Sequence, residues 1–220
     1  MYQVEELCLQ VQFLVMGPIQ NNVYIIGSED AGGLLLVDPS CESERILAAL
    51  GGRSVDAIVL THAHWDHVGA AAKMREATGA PVIASDIDAP FITGDARLEA
   101  GMQRFEPCPV DKTVSHGDIL QIGAMPWKVI GTPGHTPGSM CLFIDPQFGT
   151  DVNGAPILIS GDTLFCGSIG RTDFAGGSMA DMRKSLKRLA SLPDETVVLP
   201  GHNDLTTIGD ERRRVFAYYA

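Results

Sequence analysis

Thr61-His62-Ala63-His64-Trp65-Asp66-His67 places three of the six histidines of the chain, together with an aspartate, in seven consecutive residues. The aliphatic run over residues 57–60 leads into this stretch and reads as a short buried strand, so the cluster sits where a strand ends. Alternation along the strand predicts that His62 and His64 project to one side, and the turn that follows can return Asp66 and His67 toward the same pocket. Imidazole and carboxylate suit zinc and other first-row divalent ions, and four such donors can serve two adjacent ions.

Outward from the cluster, one local pattern recurs three times: a hydrophobic strand, a glycine turn, then a donor. Residues 127–130 lead to Gly131-Thr132-Pro133-Gly134-His135, residues 157–160 to Gly161-Asp162, and residues 197–199 to Pro200-Gly201-His202. Glycine lets the backbone turn sharply and approach closely, so each junction can set its donor on one edge of a sheet. With the first cluster these segments account for five of the six histidines. The sixth, in Val114-Ser115-His116-Gly117-Asp118, reads as an exposed turn residue.

The remaining pattern fits around these junctions. Strands are expected over 7–15, 22–27 and 33–38, with a turn at 30–33, making a β-meander. A helix over 42–50, the strand over 57–60, an Ala-rich helix over 68–78 and a strand over 81–84 continue it, and 89–109 reads as a helix-containing loop region. Strands at 119–122, 127–130, 139–144 and 157–160 precede a helix over 179–191 whose Met182, Leu186 and Leu189 share a face. A strand over 197–199 and a helix over 210–219 close the chain. No linker or repeat divides it, so residues 1–220 are read as a single domain with two similar halves.

Composition narrows the classes. The 220 residues are 45% hydrophobic and 20% charged, which fits a soluble globular protein. The 27 acidic against 16 basic residues leave a net charge of −11, which disfavours nucleic acid and anionic membrane as partners. No Lys or Arg precedes Arg45, so a signal peptide is not expected, and no apolar run approaches the ~18 residues of a spanning helix. Cys8, Cys41, Cys108, Cys141 and Cys166 form no Cys-x-x-Cys pair and read as reduced thiols, which points to the cytoplasm.

His62-x-His64-x-Asp66-His67 followed by His135, Asp162 and His202 resembles the metallo-β-lactamase superfamily, and the likeness runs over nearly the whole chain. It implies an α/β fold, the four-layer αβ/βα sandwich, and it includes Asp38 in Val37-Asp38-Pro39 as a buttress behind the site. Gly161-Asp162-Thr163-Leu164-Phe165, Gly170-Arg171-Thr172-Asp173-Phe174 and Leu199-Pro200-Gly201-His202 are similar to the short glyoxalase II-like (hydroxyacylglutathione hydrolase-like) enzymes. That likeness implies that His62, His64 and His135 bind one metal, Asp66, His67 and His202 a second, and Asp162 bridges both. The two ions would be Zn²⁺, with Fe or Mn suiting the same donors. An acid at position 162 separates the chain from true β-lactamases of the fold. Full-length glyoxalase II enzymes hold glutathione with a helical extension after the last ligand, which residues 203–220 do not resemble.

The resemblance implies a small-molecule thioester or ester substrate attacked by a metal-bridging hydroxide, with Asp66 as the catalytic residue that orients it. Arg171 either contacts an anionic substrate or makes a structural ion pair with Asp173 beneath the site, the second being favoured. A rival on the same fold is a mononuclear iron persulfide dioxygenase, which resembles the chain at His62, His135, Asp162 and Gly170-Arg171-Thr172-Asp173. Those enzymes carry Gly-Cys-Gly-Arg where this chain has Ser168-Ile169-Gly170-Arg171. A non-catalytic metal-binding protein fits less well, because structural zinc is held in closed four-ligand cages.

Overall fold

Leu34, Leu35, Leu36 and Val37 are all buried, and they divide between two cores: Leu35 and Val37 face one hydrophobic cluster, Leu34 and Leu36 another. A strand buried on both faces needs a second sheet on one side and helices on the other. Residues 157–161 repeat the arrangement, with Ile157 and Ile159 in the shared cluster and Leu158 in a third one beneath the C-terminal helices. The two strands therefore place helix, sheet, sheet and helix in order, the four-layer αβ/βα sandwich expected from the sequence.

The computed structural model describes residues 8–28, 33–96, 103–151 and 153–220. The first half contains β1 (Gln10–Met16), β2 (Asn21–Gly27), β3 (Leu34–Val37), α1 (Ser43–Leu50), β4 (Ala57–Val59), α2 (Trp65–Val68), α3 (Ala71–Thr78), β5 (Val82–Ser85), α4 (Ala89–Thr93) and β6 (Lys112–Val114). Its sheet runs β1-β2-β3-β4-β5-β6, antiparallel through β3 and parallel from there on. The second half contains β7 (Ile119–Ile122), β8 (Met125–Gly131), β9 (Met140–Ile144), β10 (Ile157–Gly161), the hairpin β11 (Leu164–Phe165) and β12 (Ser168–Ile169), α5 (Met179–Leu189), β13 (Val197–Pro200) and β14 (Thr206–Thr207). Its sheet runs β14-β13-β10-β9-β8-β7, with only the β10–β13 pair parallel. The chain ends in α6 (Ile208–Glu211), a π-helical turn (Arg212–Phe216) and α7 (Ala217–Tyr219).

Local signals explain the helices. Ser178 caps α5 by accepting from the Asp181 amide at 3.2 Å, and Met182, Leu186 and Leu189 are buried on one face as the spacing predicts. The helix expected over 68–78 is interrupted: the Ala70 amide donates to Pro39 O at 2.9 Å, so α2 and α3 are separate. The turn expected after His64 is thus the first turn of α2, with Asp66 and His67 on it. The final helix begins earlier than predicted because Thr207 caps it, accepting from the Asp210 amide at 3.1 Å. β6, β11, β12 and β14 were not anticipated; each has two or three residues, too few to show alternation. In the region over 89–109 the described residues hold α4 and irregular chain, while positions 97–102, residue 7 and the 30–32 part of the expected turn lie outside the described residues. No helix among the described residues is long and apolar enough to cross a membrane.

Candidate metal centre

The donors stand just beyond the carboxyl ends of strands from both sheets, the edge at which open α/β sheets present ligand sites. His62 and His64 follow β4, His135 follows β8, Asp162 follows β10 and His202 follows β13, while Asp66 and His67 ride on α2. Gly201 permits the last approach: a Cβ there would collide with Asp162 Oδ1 and lie 2.6 Å from His67 Cε1.

All seven predicted donors converge. His62, His64 and His135 form one set able to hold an ion, Asp66, His67 and His202 another, and His62, His67 and Asp162 a middle group, with the donor atoms of each group within 4.8 Å of one another. All are buried except His202, which is partly exposed. His64 Nδ1 lies 2.8 Å from His135 Nε2 and 3.1 Å from His62 Nε2. Asp162 Oδ1 is buried without a hydrogen-bond partner although His67 Nε2 stands 3.2 Å away. Three imidazole nitrogens facing one point and an orphaned carboxylate oxygen beside them suit a divalent cation of the nitrogen- and oxygen-preferring kind.

The outer nitrogens are committed elsewhere, which selects the tautomers. His67 Nδ1 donates to Asp38 Oδ2 at 2.8 Å, and His135 Nδ1 donates to Arg171 O at 2.6 Å. His202 Nδ1 donates to Ile19 O at 3.1 Å. Thr61 Oγ1 donates to Asp38 Oδ2 at 2.7 Å and accepts from His62 Nδ1 at 3.1 Å. Each of these histidines therefore turns Nε2 inward, the arrangement metal-ligating imidazoles need. Asp38, held at φ 50° at the end of β3, stands behind one histidine of each set.

Electrostatics divides the sets. Burial pushes His62 well below 6.5, helped by the neighbouring His67 and His64. Burial, then His135, pushes His64 down to about 4. Burial opposes the charge of His67 too, but Asp162 and Asp38 outweigh it and raise that imidazole well above 6.5. His202 is likewise raised, its burial outweighed by the hydrogen bond to Asp66. Asp66 is lowered despite burial by hydrogen bonds to His202 and His67, and Asp162 despite burial by the charge of His67.

Five of the seven donors, all but His62 and His67, line a cavity of about 750 Å³ together with Ile19, Trp65, Phe165, Ile169 and Phe174. Arg171 is at its rim. Its guanidinium pairs with both oxygens of Asp173 at 2.9 and 2.7 Å and lies 4.2 Å over the Phe174 ring. The ion pair favoured from the sequence is formed, but the Arg171 side chain is 65% exposed, at the mouth of the site and not beneath it. His116 is exposed on a turn, where Nδ1 accepts from the Gly131 amide at 3.2 Å.

Two supporting residues escaped the sequence reading. Asn22 donates to Pro200 O at 3.0 Å and Asn203 O at 2.9 Å, and its amide donates to Gly201 O at 2.7 Å, which holds the His202 loop. The adjacent Asn21-Asn22 pair at a strand start was the available signal. The other is Asp88, whose partners lie far off in the sequence.

The metallo-beta-lactamase superfamily profile matches residues 16–202. YqgX of Bacillus subtilis, a probable metallo-hydrolase, is 34% identical over 203 residues, covering 90% of this chain and 92% of its own. GloC of Haemophilus influenzae, a hydroxyacylglutathione hydrolase, is 29% identical over 214 residues, covering 93% and 96%. Among solved structures, BLEG-1, described as a B3 metallo-beta-lactamase, superposes with a TM-score of 0.81 at 33% identity over 94% of this chain and 99% of that one. TTHA1623 in a di-iron-bound form gives 0.75 at 37% identity over 93% and 98%, and ETHE1 from Myxococcus xanthus 0.75 at 29% over 93% and 82%. Matched along nearly its whole length in sequence and in fold, this chain belongs to the metallo-beta-lactamase superfamily.

Proposed function

We propose that residues 1–220 form one cytoplasmic domain that hydrolyses small-molecule thioesters in the manner of glyoxalase II, using two divalent ions. The observation that carries this reading is the convergence of two three-donor sets, with Asp162 among them, beside one open cavity that two members of each set and Asp162 line. We assign His62, His64 and His135 to one ion, Asp66, His67 and His202 to the other, and Asp162 to both. Zinc is the proposed metal; iron and manganese suit the same donors, and the similar TTHA1623 is described in a di-iron-bound form. Bound there, two ions would lower the pKa of water to about 7 and polarise the substrate carbonyl.

The residues of the chain do the rest. Asp66 Oδ2 lies 3.1 Å from His202 Nε2 and 3.4 Å from His67 Nε2, so the carboxylate stands beside the nitrogens that would hold the same ion, placed to orient the attacking oxygen. Asp38 and Thr61 keep His67 and His62 facing inward. Outside the donor set, the titratable groups among the described lining residues are Arg171 and Asp173, which are paired with each other. Among the described residues no lining acid outside the donor set is thus free to protonate a poor leaving group. A thiolate, whose conjugate acid has a pKa of about 8.5, leaves with little protonation, which favours a thioester over an amide.

GloC supports this class without requiring a helical extension, since the chain covers 96% of it. The likeness to ETHE1 gives a second reading, an iron persulfide dioxygenase. The complete Asp66, His67 and His202 set favours two ions over that single-iron chemistry. Thiol release from a thioester panel, run on protein of known metal content, tests the proposal, with a β-lactam and glutathione persulfide as further arms. We expect thioester cleavage that chelation abolishes and zinc restores; a metal-loaded protein that leaves every thioester intact would refute it.

A further inference from the structure

Asp88 occupies the N-cap position of α4, where an aspartate ordinarily accepts from the first amides of the helix. Here its side chain makes no capping bond. The carboxylate turns instead toward two distant segments. Oδ2 accepts from the Ala63 amide at 2.9 Å and from Thr136 Oγ1 at 2.8 Å, and Oδ1 accepts from the Gly138 amide at 2.9 Å. Ala63 lies between His62 and His64, and Thr136 follows His135, so one carboxylate ties together the two segments that carry all three histidines of one set.

The surroundings are shaped for it. Asp88 is 1% exposed, and its own amide donates to Ser85 Oγ at 3.1 Å. A Cβ at Gly138 would collide with Asp88 Oδ1 and lie 2.5 Å from both Asp88 Cγ and Ser85 Oγ, so only glycine admits the carboxylate at this distance. Burial raises the Asp88 carboxyl pKa, while the bonds from Thr136, Ala63 and Gly138 work against that rise. Without it the buried amides of Ala63 and Gly138 would lose their acceptor, while the Thr136 hydroxyl would keep Ser139 Oγ at 2.7 Å.

We propose that Asp88 is a positioning residue for the His62, His64 and His135 set: it clamps the two loops so that the three imidazoles face one ion. This rests on the reading that those histidines hold a metal. A residue that orients ligands without touching the ion changes affinity at its own set, whereas a residue needed only for the fold lowers stability without choosing between sets.

Competition titration with a chromophoric chelator, paired with the visible spectrum of the cobalt-substituted protein, separates the two. Asp88→Ala should weaken binding at one of two sites by about 10–100-fold and alter the cobalt bands of that site, with the other unchanged. Asp88→Asn, which keeps one acceptor oxygen, should fall between. If Asp88→Ala does not fold, Thr136→Val and Gly138→Ala disturb the same clamp from the other side and should weaken the same site. Asp111→Asn is the control, because Asp111 also accepts from a backbone amide, that of Val82 at 2.8 Å, but away from the donors. Wild-type affinity and spectrum in the Asp88 variants, or an equal loss at both sites like that of the control, overturns the clamp while leaving the two-ion reading intact. A wild-type chain that takes up no metal overturns both.

Discussion

The two donor sets share a pocket yet are built on opposite principles. His62, His64 and His135 are three imidazoles whose carboxylate neighbour is the shared Asp162, 3.3 Å from His135 Nε2, and burial lowers the pKa of His62 and His64. Asp66, His67 and His202 form a mixed set in which each imidazole already has a carboxylate partner: His67 with Asp38 at 2.8 Å, His202 with Asp66 at 3.1 Å. His62 and His64 thus offer lone pairs to a cation readily, whereas His67 and His202, whose pKa values are raised, hold protons that a cation must displace. The same contrast runs through their supports. The imidazole set is tied by Asp88 from outside, while the mixed set uses Asp38, and Asp38 reaches across to His62 through Thr61.

The largest effect should come from the residue that belongs to both. Asp162→Ala should strip metal from both sets and abolish hydrolysis, read by metal analysis and kcat/KM, a loss beyond the about 10–100-fold in affinity that an outer partner costs. Asp66→Ala breaks only the mixed set: hydrolysis should vanish while the circular dichroism spectrum is kept and metal content falls from about two ions to about one. If Asp66→Ala turns over at the wild-type rate, the mixed set has no part in the chemistry.

Asp38→Asn should lower metal affinity by about 10–100-fold and also reveal the protonation contrast in the metal-free chain. His67 has a raised folded pKa, so its contribution to stability is full below about pH 6.5 and is lost as pH rises through the raised value. His64 has a folded pKa of about 4, so it costs stability as pH falls from about 6.5 toward 4. Denaturant titrations of the metal-free protein should therefore show an alkaline loss that Asp38→Asn flattens and an acid loss that His64→Ala flattens. The smallest effect is expected at the rim. Arg171→Ala removes an exposed pair and should leave metal content and melting temperature unchanged. A rise in KM at constant kcat would place Arg171 on the substrate.

What could be read in the sequence follows from how local each device is. His62, His64, Asp66 and His67 are adjacent, and the glycine turns before His135, Asp162 and His202 mark their own positions, so all the donors were visible. The strand over 33–38 was legible, but the division of Leu34 through Val37 between two cores was not, since a continuous apolar run has no alternation to mark its faces. Asp88 was not visible either, because its partners are Ala63, Thr136 and Gly138, and the residues after it read only as an irregular, helix-containing loop region. The break between α2 and α3 depends on Pro39 O, supplied from a loop remote in sequence. β6 and β14 form because a neighbouring strand offers an edge, not because their few residues alternate. Arg171 was legible as half of a pair with Asp173, but its location at the cavity mouth depends on how the chain after β12 crosses the donors.

One measurement bears most directly on the two-set centre: hydrolysis of a thioester followed while metal-free protein is titrated with zinc. Turnover should climb to a plateau at about two equivalents, with the second equivalent bound more weakly as the pH is lowered. Full turnover at one equivalent, or a protein active only with a single iron and consuming oxygen on glutathione persulfide, would contradict it.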